Sequence, residues 1–88
     1  MSWVCEVTED AERELRELPK AIQKRVARVL AQMENEPFQR NVKSLHGEEW
    51  KGVFRRRIGD YRLLFLANHE KQTITVLRVL LRSGKTYR

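Results

Sequence analysis

The chain has a single cysteine, Cys5, so no internal disulfide can staple it. Its two histidines, His46 and His69, stand 23 positions apart, and neither has a cysteine or carboxylate at metal-ligand spacing. A zinc knuckle is therefore excluded. The four glycines are isolated, so there is no Gly-rich phosphate loop, and no nucleophile elbow is present. The longest apolar run, Leu63 to Ala67, is five residues and far too short to span a bilayer. Glu6 interrupts the start before any apolar stretch develops, so no signal peptide is expected. Repeats, linkers and low-complexity segments are missing too.

What remains is small and basic. Eighty-eight residues suit one domain, 1–88, with one modest core. Hydrophobic residues make up 41% and aromatics 8%, enough for a compact globule and too much for a disordered tail. A soluble, cytoplasmic protein without a membrane partner is expected. Charge is distributed unevenly. Residues 1–50 hold 8 basic and 10 acidic side chains, whereas residues 51–88 hold 10 basic and 2 acidic. The second part carries the whole excess behind the net charge of +6, and seven of its ten cations are arginine. Arginine's planar fork suits phosphate and base edges, so a polyanion partner follows, either nucleic acid or a strongly acidic protein.

Hydrophobic periodicity divides the chain into elements. Residues 3–8 alternate, with Trp3, Cys5 and Val7 on one face of a half-buried strand. Thr8 is the expected N-cap of a short helix, followed by Glu9 and Asp10 in the first turn. Ala11, Leu15 and Leu18 lie at helical spacing, and Glu9–Arg13 and Glu12–Arg16 form i,i+4 pairs. Pro19 ends this helix and suits the first turn of the next, which runs from about Lys20 to Asn35. Ile22, Val26, Val29, Leu30 and Met33 make its apolar stripe, and Pro37 closes it. The two helices predict an antiparallel hairpin lying on a sheet.

Residues 38–49 read as loop, anchored by Leu45 and turned at Gly47. The period then becomes two. Trp50, Phe54 and Ile58 point one way, and Lys51, Val53, Arg55 and Arg57 the other. Gly59-Asp60 signals a tight turn, Tyr61 to Ala67 a strand, residues 68–71 a second turn, and Thr73 to Leu81 a third strand. The fold class is α+β, in the order β-α-α-β-β-β, with the N-terminal strand and helical hairpin packed on a mainly antiparallel sheet.

Arginines dominate the chemistry. Strand alternation puts Arg55 and Arg57 on one face, about 7 Å apart, which approaches the spacing of neighbouring phosphates. Arg56 falls on the core face and is expected to be structural, snorkelling out or pairing with an acid on the helices. Arg62 follows the turn, and Arg82 and Lys85 follow the last strand near Tyr87 and Arg88. Together they would form a cationic floor on the sheet face opposite the helices. Such a floor could simply bind RNA. It could also promote attack of the RNA's own 2′-OH, a reaction needing no metal, cofactor or protein nucleophile. The proton carriers would then be a tyrosine or a lysine. His46 and His69 read as solvated loop residues, and Cys5 as a small core hydrophobe.

Several motifs in order resemble those of the RelE/ParE superfamily of toxins from type II toxin–antitoxin systems, on the RelE side. They are Ala11…Leu15…Leu18-Pro19, Val42-Lys43-Ser44-Leu45-His46-Gly47, Phe54-Arg55-Arg56-Arg57-Ile58-Gly59-Asp60-Tyr61-Arg62-Leu63-Leu64-Phe65, and the closing Arg82…Tyr87-Arg88. The resemblance implies a ribosome-dependent mRNA endoribonuclease that enters the A site and uses no cofactor. It implies that Arg55 and Arg57 hold phosphate and help proton transfer, that Arg62 stabilises the transition state, and that Arg82 lies near the scissile phosphate. Tyr87 would stack on the RNA or take its proton, with Lys51, Lys85 and Arg88 as further RNA contacts. Arginine stands at the paired positions where lysine is common in the best-known members, and it is a poorer base. The implied partners are a cognate antitoxin, forming a toxin–antitoxin hetero-oligomer, and the ribosome with its mRNA. A ParE-like gyrase poison and a non-enzymatic RNA-binding module, or a degenerate toxin, remain alternatives.

Overall fold

A computed structural model describes residues 2–38 and 42–81. Strand β1 (Val4–Val7) leads into helix α1 (Glu9–Arg16) through Thr8, whose hydroxyl accepts the Ala11 N–H at 3.1 Å and donates to the Leu77 carbonyl at 3.2 Å. One side chain thus caps the helix and ties its start to the far end of the chain. Arg16 pairs with Glu12 at 3.1 Å as the spacing predicts, but Arg13 takes Asp10 at 3.0 Å, one residue closer than Glu9. Helix α2 spans Lys20–Met33, ending two positions before the expected Asn35. Pro19 occupies its N-cap position, not its first turn, and its carbonyl accepts the N–H groups of Ile22 and Gln23 at 2.9 and 3.0 Å. The Gln23 amide donates to the Leu18 carbonyl at 2.8 Å, satisfying an acceptor left open where α1 stops.

The sheet has the order β1-β5-β4-β3-β2, counting β2 (Val42–Ser44), β3 (Val53–Ile58), β4 (Tyr61–Asn68) and β5 (Thr73–Leu81). Strand β1 runs parallel to β5, and every other neighbouring pair is antiparallel. The fold is therefore α+β, two helices with a five-stranded, mainly antiparallel sheet. Ala11 of α1 and Val26 and Met33 of α2 bury against Ile58, Leu63, Phe65, Ile74, Val76 and Val79 of the sheet. Ile22, Val29 and Leu30 pack on the same cluster, so the helical stripe lies where its periodicity places it. Cys5 also packs there, half-buried, with its thiol 3.6 Å from the Leu30 carbonyl.

The segment 38–49 is not wholly loop. Residues 42–44 form β2, with Val42 opposite Arg56, Lys43 opposite Arg55 and Ser44 opposite Phe54. The Leu45 N–H extends the ladder to the Val53 carbonyl at 3.0 Å. A 3₁₀ turn follows at Glu48–Trp50, so Trp50 and Lys51 precede β3 and do not share its alternation. Where α1 passes the edge of β5 beyond β1, Glu14 Oε1 accepts the Val79 N–H at 2.8 Å, so that edge donor is satisfied by a side chain. No described helix is long and apolar enough to cross a membrane.

Candidate nucleic-acid interface

The β3–β4 hairpin sets the geometry of the site. Ile58 lies opposite Tyr61, leaving Gly59 and Asp60 as a two-residue turn, and Gly59 takes the left-handed φ of 59° that such a turn requires. A Cβ there would lie 2.8 Å from Arg25 Nη1 of α2, so the turn is also closed from the helix side. With the register fixed, Arg57 lies opposite Arg62, Arg55 opposite Leu64, and Lys43 opposite Arg55. Ile58 belongs to the core, so alternation sends Arg56 inward and Arg55 and Arg57 outward to the sheet face away from the helices. Lys43 and Arg62 share that outer face through their pairings.

Two cations directly opposed on neighbouring strands are unfavourable unless an anion offsets them. Among the described residues no carboxylate pairs with Arg55 or Arg57. Arg78 is different: its guanidinium meets Glu14 Oε2 at 2.7 and 2.8 Å, which commits it to the fold. Leu64, the outward residue between Arg55 and Arg78 in register, is only 7% exposed, so the cationic face has an apolar floor.

Beside this face lies an open cleft of about 720 Å³, lined by Lys43, Ser44, Leu45, His46, Arg55 and Arg62. The structure thus brings Arg55 and Arg62 to one cavity. Arg57 is an exposed neighbour on the same face and does not line it. Lys51 is exposed beyond the 3₁₀ turn and is not part of its wall. Arg82, Lys85, Tyr87 and Arg88 lie outside the described residues.

Sequence reasoning missed Lys43 and His46 as cleft residues. The signal lay in the register of β2: once Lys43 pairs with Arg55, the residues that follow must line the strand's end. His46 is exposed as expected, but on the cleft wall. His69 is more than a solvated turn residue, because its ring stacks on Phe38 at 5.3 Å and meets Trp3 edge-on at 5.5 Å. Arg56 is 7% exposed on the inner face, where desolvation lowers its pKa from the ordinary value. Burial raises the Cys5 thiol's pKa, and the Glu34 carboxylate adds to that.

Solved structures share this architecture. A chain of the RelBE2 toxin–antitoxin complex from Mycobacterium tuberculosis is 34% identical, with a TM-score of 0.82 over 93% of this chain and 100% of that one. A chain of the archaeal RelE–RelB complex from Pyrococcus horikoshii OT3 is 28% identical, with a TM-score of 0.83 over 96% and 99%. The isolated Escherichia coli RelE toxin, at 21% identity and a TM-score of 0.77 over 97% and 92%, shares the fold. No curated protein sequence matches significantly. The likeness to these toxin–antitoxin chains makes this a RelE-like toxin. Residues 5–85 match the model of the ParE toxin of type II toxin–antitoxin systems, parDE, and the chain belongs to that family.

Proposed function

We propose that this toxin is a ribosome-dependent mRNA endoribonuclease that acts in the cytoplasm and inhibits translation. The observation that carries the reading is the convergence of Arg55 and Arg62 with Lys43 on one open cleft, with Arg57 directly opposite Arg62. Cations from three strands can hold a ribose-phosphate chain in line and neutralise the charge that builds on phosphorus when the 2′-oxygen attacks. In this reading Arg55 and Arg57 hold the flanking phosphates and Arg62 stabilises the pentacovalent centre. Arg82 acts at the scissile phosphate and Tyr87 stacks on the RNA, with Lys51, Lys85 and Arg88 as outer contacts.

The partner is an antitoxin that wraps part of the cationic face or its edges with an acidic or amphipathic helix. The RelB-bound complexes of similar chains support this reading, as does the need to mask an excess of positive charge. Expression in cells followed by mapping of mRNA 5′ ends tests the activity. In-frame cuts confined to translated messages are expected. DNA damage with intact messages would favour a gyrase poison, a reading to which the ParE family match lends weight. Neither effect would leave a binding module or a degenerate toxin.

A further inference from the structure

Cleavage by the 2′-OH needs a group that can accept a proton, and the cleft is crowded with groups that cannot. Guanidinium does not give up its proton in water, so Arg55 and Arg62 are not bases. The Lys43 ammonium is a donor without acceptor capacity and serves the cleft as a cation. Ser44 is a neutral hydroxyl and Leu45 is apolar. Glu48 and Glu49 follow in the 3₁₀ turn but do not line the cavity. Among the described lining residues His46 remains, and a neutral imidazole carries a ring nitrogen that can accept a proton.

The position of His46 is built, not incidental. The Leu45–Val53 hydrogen bond at 3.0 Å holds the chain to β3 up to the residue before it. Gly47, at φ 103°, turns the chain away immediately after it. His46 therefore follows the end of β2 and lines the same cleft as Lys43, Arg55 of β3 and Arg62 of β4.

We infer that His46 is the general base of the cleft, an inference that rests on the RNA-cleaving reading above. Its neutral imidazole takes the proton of the 2′-OH as the 2′-oxygen forms a bond to phosphorus. The bond between phosphorus and the 5′-oxygen breaks, its electron pair stays on that oxygen, and the oxygen takes a proton from water in the open cleft. The products are a 2′,3′-cyclic phosphate and a 5′-hydroxyl. The imidazolium then returns its proton to solvent.

The test is the pH profile of cleavage of a defined mRNA on programmed ribosomes, with full-length wild type, His46→Gln and His46→Ala. Wild type is expected to show an acid limb, where protonating the imidazole removes the base. His46→Gln is expected to lose that limb and to cut roughly a hundredfold or more slowly at neutral pH, with KM for the programmed ribosome unchanged. Added imidazole is expected to restore cutting by His46→Ala, which a variant that merely failed to fold would not allow. A glutamine variant that is as fast as wild type, or slower with the same acid limb, overturns the assignment and leaves the RNA-cleaving reading standing. Wild type that leaves the message intact overturns both.

Discussion

Arg57 on β3 and Arg62 on β4 stand directly opposite each other across the hairpin, on the face turned away from the helices. Like charges placed directly opposite each other on neighbouring strands repel. The pairing makes sense for a surface that receives anions.

The first prediction concerns Arg62. Arg62→Ala is expected to abolish toxicity and to slow mRNA cutting roughly a hundredfold or more. The variant is expected to remain folded, as for a side chain outside the hydrophobic core. Growth assays and chemical denaturation of the same protein check both halves.

Arg56 should behave in the opposite way. It is buried on the inner face, among the residues of the helix–sheet interface. Arg56→Ala is expected to destabilise by about 2 kcal/mol through lost packing of its stem. Arg56→Met keeps an unbranched stem without the guanidinium and separates the packing of the stem from the contacts of the head group. Urea midpoints of the three proteins measure it, and a toxicity defect without a stability defect in Arg56→Ala would contradict the face assignment.

Gly59 separates backbone strain from crowding. At φ 59° an alanine is expected to destabilise by about 1–2 kcal/mol, because its Cβ crowds the carbonyl in the left-handed region. The nearest foreign atom, Arg25 Nη1, lies 2.8 Å from that Cβ but ends a side chain that can swing aside. Adding Arg25→Ala to Gly59→Ala should therefore restore only a small part of the loss, and Gly59→Asn should be tolerated better than Gly59→Ala. Thermal or urea unfolding of wild type and the three variants distinguishes the two causes.

Cys5 supplies a pH dependence. Burial, and then Glu34, raise its folded-state pKa above the ordinary 9.0. The thiol stays protonated in the fold to a higher pH than in the unfolded chain. Its contribution is complete below 9.0 and is lost as pH rises through the folded value. Cys5→Ala is expected to be less stable than wild type near neutrality and to lose less stability on going to about pH 10. Urea midpoints of both proteins at the two pH values give the difference.

Most of the architecture was legible in the sequence because it is local. Thr8, Pro19 and the stripe from Ile22 to Met33 announce the helices, and Gly59-Asp60 announces the hairpin that pairs Arg57 with Arg62. What escaped reading depends on contacts distant in sequence. Three residues cannot display alternation, so β2 emerges only when Val42, Lys43 and Ser44 meet β3. Without β2 there is no cleft, and Lys43 and His46 read as ordinary loop side chains. Arg78 looked like one more cation of the basic half, and only the passage of α1 along β5 delivers Glu14 to it.

Strand β5 lies between β1 and β4, so among the described strands β1 has only β5 as its neighbour. Thr8 and Leu77, 69 positions apart, are joined by the same closure. A growing chain cannot seat its opening strand until Thr73–Leu81 has emerged, and such long-range pairing is slow. Maturation is therefore late and concerted. An incomplete product that stops before β5 lacks the strand that joins β1 to β4, and with it the neighbour that supports the arginine-bearing hairpin.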